Sequence, residues 1–138
     1  MIFYIYNICM ETLKEYIAKH RKIDEKSEDF ITYLSELIKK SKFKKDSELY
    51  NKALVSKQLF SSIMSGKSKP GLLTTLKFVF ALELNNHECK YLLKKAGFTL
   101  ASHSNFALII RYCLENKIYD FYDVNKLLIE NGEEPIFS

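Results

Sequence analysis

Apolar residues recur at helical spacing along almost the whole chain, and charged or turn-forming residues separate the runs. The first run is Leu13, Tyr16 and Ile17, at i, i+3 and i+4, which predicts a helix over about residues 10–22. The charged stretch 21–27 reads as a connector. Ser27, Glu28 and Asp29 then offer a cap and first-turn acids to a second helix carrying Phe30, Ile31, Leu34, Leu37 and Ile38 on one face. That helix runs into Lys39, Lys40 and Lys42, cations suited to the negative end of a helix dipole. Three shorter helices follow: one capped by Asp46 and ending near Ala53, one capped by Ser56 and ending near Ser65, and one over residues 72–84 with the apolar density of a buried helix. Gly66 is placed to end the second of these, and Pro70 prevents the chain from continuing as helix. Cys89, Leu92 and Leu93 mark a helix over 86–95 that stops at Gly97, and Phe106, Ile109, Ile110, Cys113 and Leu114 mark another over 104–116. A last helix spans roughly 120–130 before Asn131 and Gly132.

Composition agrees with an all-α fold. Only four Gly and two Pro interrupt 138 residues, so regular structure has few reasons to break. At 47% hydrophobic and 28% charged, the chain has the make-up of one compact domain with extensions. Three cysteines, Cys9, Cys89 and Cys113, are an odd number without CxxC spacing, so neither a disulfide framework nor a zinc site is encoded and a reducing, cytoplasmic setting is expected. The apolar start, Met1 to Met10, lacks a basic flank, a small-residue cleavage site and the length of a membrane span, so no signal peptide or membrane partner is expected. Residues 1–9 are read either as an upstream extension or as a short element packed on the domain.

Charge changes this picture more than composition does. Residues 39–77 carry ten lysines against Asp46 and Glu48, a net of +8 within a chain whose total is +4, so both flanks are mildly acidic. Such a stripe is the electrostatic footprint of a phosphate-backbone binder, and a solvated lysine-rich face is its bland alternative.

Within the basic segment the order Leu49, Ala53, Val55-Ser56, Phe60, Ile63, Gly66-Lys67 and Pro70 has a mechanical reason. A helix-turn-helix needs a short first helix, a tight turn with an apolar plug, here Val55, and a second helix whose N-terminal residues enter the major groove. The opposite face of that second helix, Leu59, Phe60 and Ile63, locks to the core. With Val55-Ser56, Ser61-Ser62-Ile63 and Gly66 to Pro70, the stretch 30–93 resembles the lambda-repressor-like, Cro/XRE-type helix-turn-helix family. The longer stretch 30–137, with Asp46-Ser47-Glu48-Leu49-Tyr50, Ala96-Gly97-Phe98-Thr99-Leu100 and Ile118-Tyr119-Asp120, also looks like a group of small bacterial helix-turn-helix proteins with a helical C-terminal tail.

The resemblance implies a five-helix DNA-binding domain over 27–100, preceded by an extension with one helix (1–26) and followed by a helical hairpin (101–138) suited to dimerisation. It implies a transcriptional regulator that reads double-stranded DNA with the helix at about 56–65. By position, Lys57, Gln58 and Ser62 become base-contacting, and Lys44, Lys45, Ser56, Ser65, Lys67 and Lys69 phosphate-contacting. The chain departs from the family pattern at Tyr50, where Ala is usual and a ring would crowd the helix crossing. It departs again at Leu54, where Gly is usual and a positive φ would be strained.

Other signals carry less. Three scattered histidines, with no HExxH, GxSxG or phosphate-loop motif, offer no catalytic constellation, and no cofactor is expected. His87 and Cys89 point to different helix faces and do not form a metal pair. A homodimer is expected, because one recognition helix covers only a half-site and the apolar helices over 106–129 are a natural interface. Two alternatives remain open. One is a helix-turn-helix-derived interaction module, an adaptor or an antagonist from a mobile element, meeting a protein partner through its acidic, aromatic tail. The other is RNA binding by the same basic face.

Overall fold

A computed structural model describes residues 11–24 and 29–137, and every regular element among them is an α-helix. In chain order these are α1 (Leu13–Asp24), α2 (Phe30–Lys40), α3 (Asp46–Lys52), α4 (Lys57–Met64), α5 (Leu72–Ala81), α6 (Asn86–Lys95), α7 (Asn105–Glu115) and α8 (Phe121–Glu130). None is long and apolar enough to cross a membrane.

The helix starts follow local side-chain chemistry. Asp29 caps α2 by accepting the Thr32 N–H at 2.8 Å, and this bond holds its carboxyl below the ordinary range. The expected Ser27 cap lies outside the described residues. Asp46 does not cap α3. Lys45 occupies the cap position, Asp46 is the first helical residue, and the Glu48 carboxylate accepts the Lys44 N–H instead. Asn85 and Glu88 form a reciprocal capping box on α6, and Ser104 and Asp120 cap α7 and α8.

The helix ends share one device. After α3, α4, α5, α6, α7 and α8 the chain makes the same pair of backbone bonds, one from a left-handed residue and one from the residue after it. Glycine fills the left-handed position at 66, 97 and 132, but Leu54 (φ 58°), Glu83 and Lys117 fill the others. After each non-glycine the chain turns an aliphatic residue inward: Val55 and Leu84 are buried and Ile118 is half-buried.

One contiguous core joins α2 to α8. Leu34, Leu49, Leu76, Phe78, Leu92, Ile110 and Leu128 are fully enclosed in it. α5 lies against α3 and α6, α6 also meets α2 and α7, and α7 pairs with α8. The apolar run of α7 is covered within the chain: Ile110, Cys113 and Leu114 are buried, with Val124 and Leu128 of α8. The last residues fold back onto the same core. The Asn125 side chain accepts the Ile136 and Phe137 N–H groups at 3.0 Å each and donates to the Phe137 carbonyl, while the Phe137 ring stacks on Phe121 and meets Phe80 edge-on.

α1 stands apart from this scheme. It starts three residues later than the spacing predicts, and its apolar stripe is exposed, with Leu13 at 73%.

Candidate nucleic-acid interface

α3 and α4 pack on each other across a connection of four residues, 53–56. The turn is closed by Leu54 N–H to the Asn51 carbonyl and Val55 N–H to the Tyr50 carbonyl, and Val55 plugs it from below at 5% exposure. Leu54 occupies a left-handed position (φ 58°), the strain expected there from the sequence, and its side chain is 52% exposed. Tyr50 does not force the helices apart. Its ring lies 5.4 Å from that of Phe60, which lies 6.1 Å from that of Phe78, so the larger side chain extends an aromatic row into the core.

Ser56 then caps α4, accepting the Leu59 N–H at 3.1 Å, and its hydroxyl proton remains free to donate. Phe60 and Ile63 anchor the inner face. Leu59 does not join them, being 38% exposed, because it stands one position ahead of Phe60 and falls at the shoulder of the buried stripe. Lys57, Gln58, Ser61 and Ser65 are exposed, and their spacing puts them along the outer side of the helix.

Ser62 is differently placed. It is half-buried, its hydroxyl accepts the Ser68 hydroxyl at 3.0 Å, and its carbonyl accepts from Lys67 N–H, Ser68 N–H and the Ser65 hydroxyl. These bonds pin the turn after α4 and hold Lys67 and Lys69 on exposed backbone immediately beyond the helix. Sequence reasoning singled out Ser62 for base contact and passed over Ser61, which is the more exposed. Lys44 and Lys45 are also exposed, in the segment leading into α3.

The electrostatics of this region are one-sided. From Leu49 to Leu82 there is no Asp or Glu. Among the described residues, no carboxylate lies within ion-pair distance of Lys44, Lys45, Lys57, Lys67 or Lys69, whereas Lys42 sits 4.0 Å from Glu83. Unpaired lysines around a helix start carry no internal neutralisation to be broken when an anion arrives.

Among the described residues, no group of three or more His, Cys, Asp or Glu side chains gathers to hold a metal. His87 is exposed and Cys89 buried, as their different helix faces require. Burial pushes the Cys89 thiol up to about 12 and the Cys113 thiol to about 11, which leaves both as neutral core groups at ordinary pH. Comparison of the chain with protein-family models, with curated proteins and with solved structures returned no match.

Proposed function

We propose that the protein is a cytoplasmic DNA-binding regulator of transcription, in which α2 to α6 form a lambda-repressor-like unit and α4 lies in the major groove of double-stranded DNA. One observation carries the reading. The outer side of α4 and the turn beyond it present Lys57, Gln58, Ser61, Ser65, Lys67 and Lys69 to solvent with no carboxylate among them. Lys57 and Gln58, at the first two positions of a capped helix, have the reach and donor geometry for guanine and adenine edges. Lys67 and Lys69 then lie along phosphate, joined by Lys44, Lys45 and the Ser56 and Ser65 hydroxyls. The pinned turn lowers the ordering cost of those contacts.

A second copy completes the reading, since a single recognition helix spans only a half-site. α7 and α8 leave Leu108, Tyr112, Tyr122 and Ile129 exposed after covering each other, and these residues are the proposed dimer surface. The Leu54 and Leu59 side chains, exposed beside the α3–α4 turn, favour the second reading, in which this face meets a protein instead of DNA.

Fluorescence anisotropy of labelled duplex DNA taken from upstream of the protein's own coding sequence, alongside a scrambled duplex, tests the proposal. Binding to both duplexes is expected, tighter to the first and weakening steeply with salt. Absence of binding to either at low salt would leave the protein-partner reading in its place.

A further inference from the structure

A groove of about 370 Å³ lies between α6 and α7, closed at one end by the 98–102 connection, and we propose that it binds a free amphipathic organic anion, an aliphatic chain bearing one carboxylate. Its size falls within the range of small-molecule pockets. The floor is apolar: Leu93 and Cys89 from α6, Ala107 and Ile110 from α7, and Phe98 and Leu100 from the connection.

The rim decides the ligand's charge. Asn86, Lys90 and Lys94 repeat every four residues and form one edge, Arg111 faces them from α7, and no Asp or Glu lines the groove. Arg111 is held by Glu115 at 2.8 Å, so the cations left for a ligand are Lys90 and Lys94, neither of which has a carboxylate within ion-pair distance among the described residues. A neutral chain would gain from the floor but leave the lysines uncompensated, and a cation would be repelled by them. A monoanion gains from both. None of these residues belongs to the α4 face, so this inference stands or falls independently of DNA binding.

The test uses the full chain and anilinonaphthalene sulfonate, an apolar ring system carrying one negative charge, as a fluorescent probe. Saturable binding at one probe per chain is expected, with displacement by decanoate below its micelle concentration and none by decyltrimethylammonium. Lys90→Glu with Lys94→Glu is expected to weaken probe binding about tenfold, since both side chains are exposed and charge reversal converts attraction to repulsion. Thr99→Glu, at an exposed lining position outside the proposed dimer surface, is expected to weaken binding about tenfold or more with an unchanged circular dichroism spectrum. Non-saturable binding, or binding indifferent to both variants, would overturn the proposal. So would binding to phosphatidylglycerol vesicles without displacement of the probe by decanoate, which would make the ligand a membrane surface instead of a free acid.

Discussion

At Leu54 a branched side chain sits at φ 58°, a region that costs an L-residue about 1–2 kcal/mol, and its exposed leucyl group recovers little by burial. Leu54→Gly is therefore expected to raise stability by about 0.5–1 kcal/mol, after allowing for the greater freedom of glycine in the unfolded chain. A urea midpoint that falls instead would mean that Leu54 makes a stabilising contact outweighing the strain. Cys89 is a second residue with a measurable signature. Its thiol is raised from 9.0 to about 12 by burial. Because the folded-state value is the higher, the unfolded chain loses this proton first as pH rises. The stability tied to the neutral thiol is present below pH 9 and lost between pH 9 and about 12. Wild type is expected to lose stability more steeply than Cys89→Ala between pH 9 and 10.5, by at most about 1.4 kcal/mol per pH unit. Parallel profiles would show that Cys89 ionises freely in the folded chain.

At the scale of the element, the proposed DNA binding would divide between the start of α4 and the turn after it, and the two parts are expected to respond differently to substitution. Lys67→Ala with Lys69→Ala should weaken binding to every DNA sequence and make the slope of log K against log salt shallower by up to about 2 units. An unchanged slope would remove the turn from the interface. Gln58→Ala should instead cost about 1–3 kcal/mol on the preferred site while leaving scrambled DNA nearly unaffected, and equal losses on both would deny it a base-reading role. The serine network gives the element scale its own logic. Ser62 collects bonds from Ser65, Lys67 and Ser68, so in the proposed complex it would act through the shape of the turn.

For the whole molecule, the C-terminal residues are structural. Phe137 lies on Phe121 and Phe80, and Asn125 holds the backbone at 136 and 137. Deleting residues 135–138 is expected to cost about 3 kcal/mol or more, by exposing those rings and leaving the half-buried Asn125 amide without its partners. An unchanged urea midpoint would contradict the clamp. The same geometry bears on assembly: burial of Ile110, Cys113 and Leu114 beside α8 withholds them from an interface, so a dimer through α7 and α8 would use the outer residues of these helices. Light scattering at micromolar concentration is expected to show a dimer, lost on Tyr112→Glu with Tyr122→Glu. A wild-type monomer would withdraw the α7–α8 surface and, with it, recognition helices spaced about 34 Å apart.

Apolar periodicity, together with cap and turn residues, was sufficient to locate the eight helices among the described residues, because an amphipathic helix in a one-core domain must repeat its apolar residues near every 3.6 positions. The cap at Ser56, the plug at Val55 and the helix end at Gly66 were legible for a related reason: each depends on bonds among residues three to six apart, whereas the Ser104 and Asp120 caps were not singled out and Asp46, expected as a cap, is the first residue of α3. The candidate interface was legible as a local pattern, in the capped start of α4 and the lysines beyond it. What required tertiary structure was every outcome set by neighbours distant in sequence. Whether Leu59 is buried depends on how α4 is rotated against the core, and whether Tyr50 crowds α3 and α4 depends on the space beside Phe60 and Phe78. The clamp at Asn125 joins residues eleven and twelve positions apart, and the groove gathers side chains from α6, the 98–102 connection and α7. Local chemistry sets where helices start and stop, while the competition among side chains for one interior volume decides which faces remain for function.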